Sequence, residues 1–88
     1  MRTKYDLIVR GDGYMLDTLQ SHAEMIRKYT DGTYYNITRV IRSKDSLLIR
    51  VEDEAPKVEK LRDMIRYRFP RVRLMLARIS KQTGNNGK

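Results

Sequence analysis

Residues 5–10, Tyr-Asp-Leu-Ile-Val-Arg, read as a strand. They are rich in β-branched and aromatic side chains, and a period of two sets Tyr5, Leu7 and Val9 on one face. Gly11-Asp12-Gly13 ends the strand, and Asp12 is placed to cap a helix. From residue 14 to about 29 the period becomes helical: Leu16, Leu19, Ala23 and Ile26 follow one stripe. Gly32 is the expected left-handed C-cap. Residues 34–42 and 46–52 read as two strands joined by the short polar turn Ser43-Lys44-Asp45, an antiparallel hairpin. Asp53-Glu54-Ala55-Pro56 opens a second helix, because acids suit its N-terminal end and proline is tolerated in the first turn. Val58, Leu61 and Ile65, with Phe69 at the end, form its buried stripe, and Pro70 stops it. The last strand runs over residues 72–79, where Val72, Leu74 and Leu76 alternate with Arg73, Met75 and Ala77.

The order β-α-β-β-α-β predicts an α+β, ferredoxin-like sandwich. Its four-stranded antiparallel sheet has the expected order 4-1-3-2, with both helices on one face. Residues 1–80 form one such domain, and the Gly/Asn-rich residues 81–88 are expected to be a disordered polar tail. If Ile37 and Ile41 face the helices, alternation puts Tyr34, Thr38, Val40 and Arg42 on the open face. Ile8, Arg10, Leu48, Arg50, Arg73, Met75 and Ile79 join them there. A sheet face that is partly apolar and carries four arginines is expected to be covered by something.

The topology resembles that of the RNA-recognition motif, whose signature is a pair of aromatic-bearing motifs on strands one and three. Here strand one offers Asp6, Ile8 and Arg10, and strand three offers Leu48, Arg50 and Glu52, without rings at those positions. The opening MRTKYDLIV and the closing VRLMLARISK also resemble the ends of small ribosomal proteins of the same topology.

Charge sharpens the picture through its distribution. Residues 1–53 carry nine basic and eight acidic side chains, whereas residues 54–88 carry ten basic and three acidic ones. Residues 62–81 alone hold seven basic side chains and one acid. Arg66, Arg68, Arg71 and Arg73 follow one another with no acid between them, and arginine's planar fork suits phosphate. Clustered positive charge is the electrostatic footprint of a nucleic-acid binder. The bland alternative is a solvated helix face, with Glu59 and Asp63 giving local pairs.

Little catalytic chemistry is legible. The chain has no cysteine, which removes disulfides and thiol catalysis and fits a reducing compartment. No apolar run approaches the ~20 residues of a membrane span, and MRTKYDLIVR lacks the long apolar core expected of a signal peptide. The protein is read as soluble and cytoplasmic. His22 is the lone histidine, without the spacing of a zinc site, so no metal or cofactor is expected. Gly11-Asp12-Gly13 leads from strand to helix, a geometry that can hold phosphate, but Asp12 repels an anion. Acylphosphatases share the topology and carry an arginine near the end of a longer loop at this place; that arginine is missing here.

The leading expectation is a small, non-catalytic nucleic-acid-binding protein, with RNA or single strands favoured. Arg62, Arg66, Arg68, Arg71 and Arg73 would neutralise phosphates, and Arg42, Lys44 and Arg50 on the hairpin would extend the track. Replacing Arg68 and Arg71 should then weaken binding and flatten its salt dependence. The alternative is a protein-interaction module, such as a phage- or plasmid-encoded inhibitor or regulator. It would dock on an acidic protein surface or self-associate as a homodimer.

Overall fold

The computed structural model describes residues 2–29 and 35–79. Gly32, Tyr34 and residues 81–88, for which a cap, a place on the open face and a disordered tail were expected, lie outside them. The element order is β1 (Thr3–Arg10), α1 (Gly13–Tyr29), β2 (Ile37–Arg42), β3 (Ser46–Asp53), α2 (Ala55–Arg68) and β4 (Arg73–Ile79). The strands form one antiparallel sheet in the order β2-β3-β1-β4, the same neighbours as 4-1-3-2 counted from the other edge. This is an α+β architecture with a four-stranded sheet and two helices.

Both helices cover the same sheet face. Leu7, Val9, Leu47, Ile49 and Val51 from the strands meet Leu16, Leu19 and Ala23 of α1 and Val58, Leu61 and Ile65 of α2 in one buried cluster. These are the alternate strand positions and the helical stripes that periodicity selects. Among the described residues no helix is long and apolar enough to cross a membrane.

Local chemistry sets the helix ends. The Asp12 carboxylate accepts the Tyr14 N–H at 2.8 Å, so Asp12 is the N-cap of α1. At α2 the N-cap Glu54 makes no side-chain capping bond. Its neighbour Asp53 supplies the carboxylate instead, accepting the N–H of Glu54 at 2.9 Å and that of Asn36 at 3.2 Å. Asp53 is buried and lies 3.5 Å from the Lys57 ammonium. Burial alone would raise its carboxyl. The two backbone N–H groups and Lys57 outweigh that and hold it below the usual carboxylate value. One side chain thus ties the entry of β2 to the start of α2. At the far end, the Phe69 N–H closes the last turn onto the Ile65 carbonyl, and Phe69 packs against the core.

The second strand departs from simple alternation. It pairs with β3 as Ile37↔Val51 and then Arg39↔Arg50, so Thr38 is an extra residue at a bulge. One added residue swaps every later side chain to the opposite face. Val40, opposite Ile49, turns toward the helices, and Arg42, opposite Leu47, does the same. Ile41 and Arg39, opposite Leu48 and Arg50, go to the open face. The expected placements of Ile41, Val40 and Arg42 are therefore reversed. Ile37, before the bulge, stays in the core.

Candidate nucleic-acid interface

The open face is built in rows, because antiparallel register sets side chains side by side across strands. Ile41, Leu48, Ile8 and Met75 form an apolar row, one from each strand. Its ends are accessible, Ile41 at 43% and Met75 at 56% exposure. Toward one end of the sheet the next row holds Ser46, Arg10 and Arg73. Toward the other end it holds Arg39, Arg50, Asp6 and Ala77.

The two charged rows differ in how their charge is met. Arg50 grips Asp6 with two parallel bonds, Nε to Oδ1 at 2.9 Å and Nη2 to Oδ2 at 3.1 Å. That carboxylate hydrogen-bonds the Arg50 guanidinium and attracts its charge, holding its pKa above the ordinary arginine value. Arg10 and Arg73 stand directly opposite each other and pair with no carboxylate among the described residues. Like charges in this relation destabilise a sheet. Beside them lies an open depression of roughly 300 Å³, lined by Ile8, Arg10, Arg73, Leu74 and Met75.

The sequence-selected cations separate in space. Arg73 is on the open face. Arg50 is there too, but engaged by Asp6. Arg42 is on the helix side, where its Nη2 donates to the Gly13 carbonyl at 3.2 Å and to Asp17 Oδ1 at 3.0 Å. Its Nη1 donates to the carbonyls of Ser43 and Lys44. Arg42 therefore fastens the β2–β3 turn to the start of α1. Lys44 is exposed in that turn, and Arg71 is exposed in the corner before β4. Both belong to the sheet end that carries Arg10 and Arg73.

The helix arginines diverge. Met64 and Arg68 face α1, lining a gap with Leu19, His22, Ala23 and Ile26. At about 100° per residue, Arg62 and Arg66 fall on the opposite flank of α2. Arg62 contacts Asp63 at 3.1 Å. Tyr67 is 88% exposed on the outer side of the helix, away from the sheet. The gap between the helices encloses about 10 Å³, room for one water at most. Arg62, Arg66, Arg68, Arg71 and Arg73 thus point to several surfaces rather than one patch.

Arg39 gave no signal in the strand pattern, because only the bulge brings it to the open face. The spacing Ile37-x-x-Val40 could have marked the bulge, since two apolar residues three apart share a face only if one residue is extra. At the Gly11-Asp12-Gly13 turn the Asp12 carboxylate already occupies the Tyr14 N–H that an anion would need. Among the described residues no three acidic, histidine or cysteine side chains gather where they could hold a metal ion. No protein-family model matches the chain, and no curated protein matches it.

Proposed function

We propose that this is a small ferredoxin-like protein that binds nucleic acid without catalysis, with RNA or single strands favoured. The reading is carried by Arg10 and Arg73, two opposed guanidinium groups that no described carboxylate neutralises. A pair that costs the fold stability is accounted for by an anion that bridges it. Lys44 and Arg71 belong to the same sheet end and continue the phosphate track. The excess of basic residues in the second part of the chain supplies long-range attraction.

The test is a titration of labelled RNA and DNA over a range of salt concentrations. Wild-type affinity should fall steeply as salt rises. The double variant Arg10→Ala/Arg73→Ala should bind at least about tenfold more weakly, and its log–log salt slope should be shallower by about 1.4, two single-strand phosphate contacts. Wild-type protein that binds no nucleic acid at low salt sinks the reading. In that event the alternative, a module docking on an acidic protein surface or on itself, takes its place.

A further inference from the structure

Resting on the nucleic-acid reading above, we infer that the open face takes a single strand laid across the β-strands. Its bases lie on the row Ile41, Leu48, Ile8 and Met75, and its phosphates run along the sheet end that carries Arg10 and Arg73. Three observations point this way. The apolar row and the arginine row run parallel, two residues apart along each strand, about 6.5 Å. That separation suits the reach from a nucleotide's phosphate to its base. The open depression is lined by apolar Ile8, Leu74 and Met75 and by the two arginines, so it offers both an apolar and a cationic surface, which complement a nucleotide's base and phosphate. Among the described residues the face carries five basic and two acidic side chains, so a second copy laid on it would meet its own positive charge.

The apolar row decides between single strand and duplex. A duplex turns its phosphates outward and hides the faces of its bases, leaving these aliphatic side chains against water. Unstacked bases cover them. The row spans four strands, about 14 Å, room for about two or three bases, as on other four-stranded sheets that hold splayed nucleotides. Aliphatic side chains offer contact without base-specific hydrogen bonds, so binding is tolerant of sequence.

The test compares three probes on the full chain: a short oligouridine, a mixed-sequence duplex and inorganic polyphosphate, which has charge but no bases. Oligouridine should bind at least about tenfold more tightly than either of the others at equal charge, since base contacts add to the phosphate term. Ile41→Ala/Met75→Ala removes two exposed side chains, so thermal unfolding should be nearly unchanged. That variant should lose about fivefold in oligouridine affinity while keeping the wild-type salt slope, because the lost contacts are not ionic. Duplex binding as tight as oligouridine overturns the inference, as does an unchanged affinity in Ile41→Ala/Met75→Ala; either leaves the broader nucleic-acid reading standing. Failure of all nucleic-acid probes would instead remove that broader reading. A wild-type dimer that Met75→Ala dissociates, with no oligouridine binding, would assign the face to a second copy and also overturn the inference.

Discussion

Both faces of β1 carry aliphatic side chains, and the fold treats the two sets in opposite ways. Leu7 and Val9 are fully buried under the helices, whereas Ile8, between them, lies on the uncovered face beside Leu48 and Met75. On the covered side Asp53, the one buried charged side chain among the described residues, accepts two backbone N–H groups and lies beside Lys57, while the buried Nε of Arg42 has no hydrogen-bond partner among them. On the open side apolar surface is left exposed and Arg10 faces Arg73 with no carboxylate partner among the described residues. The covered face is arranged for stability. The open one leaves apolar side chains exposed and sets two like charges opposite each other, and the proposed single strand would cover both.

Truncation on the two faces of one strand system should break that comparison if it is wrong. Leu7→Ala should cost about 2–5 kcal/mol in urea unfolding, because it opens a cavity in a closed core. Met75→Ala should cost less than about 0.5 kcal/mol, and equal losses would mean that the two faces are not so different. The next effect belongs to Asp53. Removing its carboxylate strands two backbone N–H groups, and Asp53→Ala should cost about 1–3 kcal/mol. Its folded-state pKa is depressed, so its stabilisation is present above the ordinary aspartate value and lost as pH falls through the lowered one. The wild-type urea midpoint should therefore drop in acid more than that of Asp53→Asn. The smallest effect is expected at the corner. Arg68→Ala/Arg71→Ala should weaken nucleic-acid binding less than Arg10→Ala/Arg73→Ala does, since Arg68 faces α1 and only Arg71 belongs to the cationic sheet end.

Local periodicity carried most of the architecture. The stripes of both helices, the inward positions of β1, β3 and β4, the Asp12 cap and the hairpin all follow from residue spacing and turn chemistry. The second strand did not, because the Ile37-x-x-Val40 spacing that marks the bulge competes with Ile37-x-x-x-Ile41, which fits plain alternation; the bulge exchanged Arg42 for Arg39 on the open face. The site was less legible for a related reason. Arginines adjacent in sequence, such as Arg66 and Arg68, are turned apart by helical rotation. Arg10 and Arg73, far apart in sequence, are brought together only by the β1–β4 register. The buried role of Asp53 depends in the same way on the approach of Asn36.

The most direct measurement of the open-face account is a methyl NMR titration of the full chain with oligouridine. Large shifts are expected for the methyls of Ile8, Ile41, Leu48 and Met75. The methyls of Leu7, Leu47 and Ile49, which lie beneath the same strands on the covered face, should stay nearly fixed. Shifts confined to Ile65 and Met64 of α2, with the open-face methyls unmoved, would place the ligand on the helices and contradict it.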